Sequence, residues 1–266
     1  MSASMARASQ DVYLPNFLSC SPWMWPVRAA GARLPPDLQD FPSREQLTAL
    51  YDAHVCDEQP ALRFVAEAKS QSRRRAGSKR AADRYDGLIT LRHEVPTRAG
   101  NWHDLLNALC FATFPRSKRA LHRRQFEALL AREPAPDKPW PNARTREQDA
   151  LTLLDEGGIL VAVTDPNTYQ EAKPLPSADL VHALCATQQA QVVPFGHAVL
   201  EHLIKGEPCP GGRACVVRVT GPLVADEHLL GQLDTALCRL VEDPDELQAP
   251  GASACRLVLS DPRFTP

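Results

Sequence analysis

The stretch "GNWHDLLNALCFATFPRSKRALHRRQ", residues 100–125, predicts two consecutive helices at the centre of the fold. Asn101 is a favourable N-cap for a first helix over about 102–112, whose residues are apolar on most sides. Pro115 separates it from a second helix, over about 117–132, which carries many cationic side chains. We therefore expect a buried helix followed by an amphipathic one.

The rest of the chain shows helix signals more often than strand signals. Thr145 and Gln148 form a capping-box pattern that starts a helix over 146–156, which leads into the β-branched run "ILVAV" at 159–163. A hairpin that turns at "DEGG" is the alternative for this segment. Further helices are predicted at 44–53, 178–187, 196–205 and 227–242, and further strands at 87–92, 214–219 and 255–260. These elements indicate an α+β fold, a mostly helical single domain with a small β-sheet.

The bulk properties favour one globular domain. The chain has 266 residues, and its first 45 are rich in proline and aromatic residues, which predicts an extended N-terminal arm (1–45) before a single α+β domain over 46–266. Neither an apolar run of membrane-spanning length nor a cleavable leader is evident, so we expect a cytoplasmic protein that does not enter a membrane. The eight cysteines form no C-x-x-C pair, which favours buried thiols over a zinc site held by cysteines.

Charge is distributed unevenly along the chain, although its formal net value is only −2. Residues 61–124 hold 15 Lys or Arg against 5 Asp or Glu, a balance of +10, whereas residues 225–262 hold 2 against 8, a balance of −6. The Arg-rich stretch at about 69–84 has no apolar periodicity and is predicted to be a basic mobile loop. Such segregation suits binding of nucleic acid or another polyanion, or docking of the acidic C-terminal part on the basic segment.

Four stretches in the middle of the chain resemble a bacterial family of uncharacterised proteins, the domain of unknown function 3025. They are "NWHDLLNAL" (101–109), "FPRSKRALHRRQ" (114–125), "DALTLLDEGGILVA" (149–162) and "FGHAVLEHL" (195–203). The resemblance implies a bacterial source and a single domain. It implies no reaction, because no activity comes with the family.

Two histidines in these stretches stand at positions where helix capping and core packing do not require imidazole. His103 and Asn107, four residues apart, share a helix face, whereas Asp104 suits the capping of the helix start. His197 and Glu201 repeat the spacing of four, which allows them to hold a metal ion if a third ligand such as His103 joins them. For each pair the alternative is a structural hydrogen bond.

Two further sets of polar residues complete the candidate site. Asp149, Thr152 and Asp155 form a stripe along the helix before the strand, which is either a solvated face or a source of carboxylates for the histidines. Arg116 and Lys118 stand at the start of the basic helix, where they can hold phosphates or form a solvated face. The predicted catalytic residues are His103, His197, Glu201, Asp149 and Asp155, and the predicted substrate-binding residues are Asn107, Arg116, Lys118 and Thr152. If these residues converge, the rings of the two histidines should lie within about 8 Å of each other.

Three functions remain open from the sequence. The first is a hydrolase that acts on a small phosphorylated or otherwise anionic substrate through the His, Asp and Glu set, with a divalent metal ion as an optional cofactor. The second is a non-catalytic module that binds nucleic acid or another polyanion through the 69–84 loop and the 116–124 helix. The third is a structural or partner-binding protein whose polar motifs are internal hydrogen-bond networks.

Overall fold

A computed structural model of the protein describes residues 11–55, 61–67, 80–135, 138–141, 143–174, 176–207, 211–247, 255–264 and 266. Most of the predicted basic loop falls outside these residues, so its mobility stays a prediction. In the described part of the chain no helix has the length and apolar character that a membrane crossing requires.

Helices form most of the described chain, as predicted. They are α1 (Trp25–Gly31), α2 (Arg44–His54), α3 (Tyr85–Arg92), α4 (Trp102–Thr113), α5 (Pro115–Leu130), α6 (Arg146–Gly157), α7 (Pro166–Ala172), α8 (Ala178–Ala186), α9 (His197–Lys205) and α10 (Glu227–Glu242). The capping box at Thr145 is formed, because the Thr145 hydroxyl and the Gln148 side chain each accept a hydrogen bond from the other residue's backbone N–H. Asn101 caps α4 by accepting a hydrogen bond from the Asp104 N–H at 2.9 Å.

Within the described ranges, six strands form two small sheets. β1 (Arg63–Ala66) and β2 (Glu94–Thr97) pair in parallel. The second sheet has the order β4-β3-β5-β6 and contains β3 (Gly158–Val163), β4 (Ala190–Pro194), β5 (Gly212–Arg218) and β6 (Arg256–Leu257). The central strand β3 is buried at every position, and it runs antiparallel to β4 and parallel to β5. The predicted α+β class and the predicted strand at 159–163 are thus confirmed.

Helix α4 lies at the centre of the first half of the chain. All its residues from Leu105 to Thr113 are buried, and it packs against α1, α2, α5 and α9. Trp102, at its start, is 2% exposed, and its indole nitrogen donates a hydrogen bond to the Val12 carbonyl at 3.2 Å. A helix surrounded on all sides in this way can place polar side chains only in the interior or at its ends. Polar residues of α4 that belong to a site must therefore lie at one of these two positions.

Some predicted elements are wrong. Residues 87–92 form part of α3 and not a strand, because α3 packs along α5 and ends at His93, whose φ of 55° is left-handed. The start of α3 packs closely against the preceding turn at Gly87. A Cβ added to this glycine would lie 2.3 Å from the Ala81 carbonyl oxygen, so only glycine fits there. The predicted extended arm contains the helix α1, and the last strand, predicted at 255–260, is only Arg256–Leu257.

The basic helix α5 carries much of its charge inward. Its side chains at Lys118, His122 and Arg124 are buried, although a solvated face is the usual environment of such residues. The acidic helix α10 packs along α5, and the Asp234 carboxylate accepts hydrogen bonds from the backbone N–H groups at the start of α5. The acidic C-terminal part therefore docks on the basic segment, which was one of the two interpretations of the charge segregation.

Candidate functional site

His103 and His197 meet where the start of α4 packs against α9. Their Nε2 atoms lie 3.1 Å apart, well inside the predicted separation. On the other side of its ring, His103 donates a hydrogen bond from Nδ1 to Glu201 Oε2 at 3.0 Å. Glu201 in turn accepts a hydrogen bond from Lys205 Nζ at 2.7 Å. The spacing of four along α9 thus brings His197 and Glu201 to the two nitrogens of one imidazole.

The two imidazoles have opposite electrostatic environments. The hydrogen bond with Glu201 raises the pKa of His103, against the lowering effect of partial burial. Burial lowers the pKa of His197 to about 3, and the charges of Lys118 and His103 add to the lowering while the Asp155 carboxylate opposes it. His197 is therefore neutral at physiological pH, and when His103 is protonated the Nε2 atom of His197 accepts a hydrogen bond from His103 Nε2–H.

Of the two histidines, His103 is the one that solvent reaches. Its side chain is 35% exposed, whereas the whole of His197 is 3% exposed. The hydrogen bond with His103 also lowers the pKa of Glu201, to about 2, so that the carboxylate is ionised over the physiological range. An exposed imidazole held by a carboxylate on one nitrogen is a common arrangement for proton transfer.

A second cluster of polar residues lies deeper, between α4, α5 and α6. Lys118 is completely buried, and its ammonium contacts the Asp155 carboxylate in an ion pair. It also donates to Asn107 Oδ1 at 2.8 Å, and Asn107 Nδ2 donates to the Tyr85 hydroxyl oxygen at 3.0 Å. Burial by itself raises the pKa of the Asp155 carboxyl, but the Lys118 ammonium and the neighbouring His122 hold that pKa below its usual range.

Asp155 connects the two clusters electrostatically. Its charge acts on His197, and its Oδ2 lies 4.0 Å from His122 Nε2. His122 is 1% exposed and its Nδ1 donates to Asp86 Oδ1 at 2.8 Å. The link between the clusters is electrostatic, because His197 Nδ1 and His122 Nε2 are buried and have no hydrogen-bond partner among the described residues.

The structure brings six of the predicted site residues into these two clusters and leaves three outside them. His103, His197 and Glu201 form the first cluster, and Asn107, Lys118 and Asp155 belong to the second. Lys118 and Asn107 are buried, so a substrate cannot contact them directly. Their predicted role in substrate binding would have to be indirect, through the residues to which they are hydrogen-bonded. The catalytic and binding roles of these six residues stay predictions.

The three residues outside the clusters have other contacts. The guanidinium of Arg116 donates to the Thr235 hydroxyl at 3.2 Å, because α10 covers the start of α5. The Thr152 hydroxyl donates to the Gln148 carbonyl, one helical turn earlier, at 2.8 Å. Asp149 is exposed on the solvated face of α6. The expected convergence of Arg116 with the histidines is therefore wrong. At least one of Asp149 and Asp155 was expected near the histidines, and it is Asp155 whose charge acts on His197.

The donor geometry does not fit the predicted metal set of His103, His197 and Glu201. The carboxylate of Glu201 bonds to one nitrogen of His103 and His197 lies at the other, so the three donors do not converge on one point. Within the described ranges no group of three or more His, Cys, Asp or Glu side chains has a metal-binding arrangement.

Sequence reasoning missed Tyr85, Asp86 and His122. His122 lies four residues after Lys118, so the two share one face of α5, and this spacing was the available signal. Tyr85 and Asp86 begin α3, the helix that was interpreted as a strand, so no argument about helix faces applied to them. Their contacts with α4 and α5 follow only from the packing of α3.

We expect the substitution Glu201→Gln to lower the pKa of His103, because the amide cannot replace the carboxylate that stabilises the imidazolium. The measurement is a titration of the histidine ring protons by NMR in the wild-type and variant proteins. Glu207→Gln is the matched control, because the Glu207 carboxylate forms a hydrogen bond with Nδ1 of His202, a histidine of α9, at 3.0 Å. An unchanged His103 pKa in Glu201→Gln, or an equal decrease in the control, would contradict the assigned hydrogen bond.

Comparison with known proteins places the chain in one family. Residues 62–254 match the model of a family described as "Protein of unknown function (DUF3025)", and this range contains both polar clusters. No curated protein and no solved structure has a significant match to the chain. Because the match covers most of the 266 residues, the chain belongs to the DUF3025 family.

Proposed function

We propose that the protein is a hydrolase in which His103 transfers protons at the bond that is broken. One observation carries this proposal: a partly exposed imidazole has a carboxylate on one nitrogen and a neutral, buried imidazole at the other. Glu201 orients the ring of His103 and favours its protonated form. His197 accepts a hydrogen bond from His103 but is too weak a base to take its proton.

In a complete hydrolytic cycle His103 gives one proton to the leaving group and takes one proton from the attacking water. Water attacks the electrophilic carbon or phosphorus atom of the substrate, and the bond to the leaving group breaks with its electron pair moving to the leaving oxygen or nitrogen. His103 gives its Nε2 proton to that leaving atom, which must first replace His197 as the hydrogen-bond partner of Nε2, because both ring nitrogens of His103 have partners in this structure. The neutral imidazole then takes a proton from the attacking water, so that the enzyme returns to its starting state.

An anionic substrate suits the charge of this surface. In its protonated form His103 is a cation that can donate a hydrogen bond to an oxyanion, and such charge-assisted bonds are stronger than neutral ones. Arg98 lies within electrostatic range of Glu201, and its guanidinium is paired with Asp104 at 3.0 Å. A small phosphorylated or carboxylated compound is therefore the substrate class that we propose for the hydrolase.

The test is a set of chromogenic p-nitrophenyl substrates, namely a carboxylic ester, a phosphate monoester and a phosphate diester. We expect the wild-type protein to hydrolyse at least one of them, and His103→Gln to reduce the rate by about 10²- to 10⁴-fold, the usual contribution of a general acid or base. His202→Gln is the matched control, because His202 forms a similar histidine–glutamate pair on the same helix away from His103.

The pH dependence of the rate distinguishes proton transfer from a structural role. In Glu201→Gln the limb of the profile that reports His103 should move to lower pH together with the pKa measured by NMR. Three results would contradict the proposal: no hydrolysis of any of the three substrates, equal rates for wild type and His103→Gln, or a profile that stays in place while the pKa of His103 moves.

Binding of nucleic acid or another polyanion has weaker support from the described residues. The cations of α5 already have partners inside the molecule: Arg123 pairs with Glu242, Arg124 Nε donates to Glu147 at 2.7 Å, and Lys118 is buried with Asp155. The phosphate groups of a polyanion would have to displace these internal contacts.

A further inference from the structure

A separate cavity lies on the side of the molecule where α3, β2 and the end of α5 meet the segment 138–144. Its volume is about 730 Å³, within the usual range for small-molecule sites. Tyr85 and Asp86 line it from α3, and Trp140 lines it from the segment after α5. His103, His197 and Glu201 do not line this cavity, so it is a second site and not the substrate site of the proposed hydrolase.

The carboxylates in the wall of the cavity are mostly neutralised within the protein. Asp83 pairs with Arg92 at 2.8 Å, and Glu94 pairs with Arg63 at 2.8 Å. Asp86 accepts the hydrogen bond of His122 described above. These contacts leave Glu67, at the exposed edge, as the one lining carboxylate for which the described residues provide no ion pair.

Three arginines in the same wall, in contrast to most of these carboxylates, have no partner of opposite charge among the described residues. In the part of the chain that the structure describes, Arg84, Arg132 and Arg144 form no ion pair with a carboxylate, although all three line the cavity. Unlike the acidic lining residues, they contribute positive charge that a ligand can use. Four carboxylates and four arginines line the cavity, and the groups that the described residues leave without an ion pair are mainly cationic, which favours an anion.

Contacts with neutral groups hold these guanidinium groups in place. Arg132 donates to the Ala143 carbonyl at 3.0 Å, and Arg144 donates to the Thr152 hydroxyl at 3.2 Å. Arg84 stacks on Trp140, with its Cζ 4.0 Å from the ring centroid. Each guanidinium has five N–H donors, so these contacts leave donors for a ligand.

From this arrangement we infer that the cavity is a binding site for an organic phosphate. A phosphate monoester carries a charge of about −1.5 to −2 and three acceptor oxygens, which suits several guanidinium groups better than a single carboxylate does. The volume exceeds what a phosphate ion alone fills, and the rings of Tyr85 and Trp140 offer apolar surface to the organic part.

Isothermal titration calorimetry with three probes tests the inference. We expect phenyl phosphate to bind, inorganic phosphate to bind more weakly, and phenol, which has the ring and no charge, to show no binding. The affinity for phenyl phosphate should fall as salt is added, because the attraction is between charges. Absence of phenyl phosphate binding, or equal affinities for phenyl phosphate and inorganic phosphate, would overturn the assignment.

Variants assign the binding to this cavity. We expect Arg144→Gln and Arg84→Gln each to weaken phenyl phosphate binding by about ten- to a hundredfold, the value of one charge-assisted hydrogen bond. Arg123→Gln is the matched control, because Arg123 pairs with Glu242 away from this wall. A melting curve of each variant shows whether it is folded, and Arg84 provides a second test if the Arg144 variant is not. Unchanged affinity in a folded variant of either arginine would contradict the inference.

The same measurement separates this site from the proposed hydrolase. His103→Gln removes the group that would hold an anion at the hydrolase site. Phenyl phosphate binding that persists in this variant and is weakened in Arg84→Gln and Arg144→Gln therefore belongs to the cavity, which His103 does not line. A loss of binding in His103→Gln would show that the calorimetry reports the hydrolase site, and the cavity would then lose its support.

Discussion

Replacing Asp155 with leucine is expected to lower the free energy of unfolding by about 3 to 5 kcal/mol, the usual result of removing one partner of a buried ion pair. The side chain of Lys118 is 0% exposed, and without Asp155 its ammonium keeps only the neutral Asn107 oxygen as a hydrogen-bond partner among the described residues. Leucine is close to aspartate in size, so the missing charge accounts for most of the effect. Urea denaturation of the wild-type and variant proteins measures the difference.

The double variant Lys118→Met/Asp155→Leu separates the ion pair from the packing around it. Because both charges are then absent, the loss of stability should be much smaller than the sum of the two single losses, and the difference is the coupling energy of the pair. Arg123→Gln is the exposed reference, since the side chains of Arg123 and Glu242 are 49% and 45% exposed and such pairs contribute about 0 to 1 kcal/mol. Additive single losses would contradict the assigned ion pair.

Local signals in the sequence predicted the helices better than the strands. Thr145 with Gln148 and Asn101 with Asp104 form the predicted caps, because such caps depend on residues three apart and need no distant partner. The strand at 159–163 also followed from its uninterrupted apolar run. Residues 87–92 have a similar short run, but their conformation depends on packing against α5, which local periodicity does not contain.

The candidate site was predictable only in part. The spacing of four placed His197 and Glu201 on one face of α9, and the two rings of His103 and His197 do meet. The burial of Lys118 was not predictable, because lysine is almost never fully buried and its partner Asp155 comes 37 residues later in the sequence. Arg116 was placed in the site on its charge alone, and its environment is determined by α10, more than a hundred residues away.

The stability of the protein should decrease as the pH falls from about 6.5 towards 3, and His197 should account for a large part of the decrease. Burial holds the pKa of His197 at about 3 in the folded protein, whereas the unfolded chain has the ordinary histidine value near 6.5. Between these two values the unfolded state binds one more proton than the folded state at this site. The free energy of unfolding therefore decreases by up to ~1.4 kcal/mol per pH unit as the solution becomes more acidic.

The substitution His197→Gln tests this assignment, because glutamine does not titrate. The variant is expected to be less stable than wild type at neutral pH, where it loses the contact with His103, and to show a flatter dependence of stability on pH between about 6.5 and 3. The charged groups that act on His197 are Asp155, Lys118 and His103. His103 has its pKa raised, so its own contribution is present below pH 6.5 and disappears as the pH rises through its higher folded value. The two histidines thus act in different pH ranges, and a variant slope equal to that of wild type below pH 6.5 would show that His197 is not the group responsible.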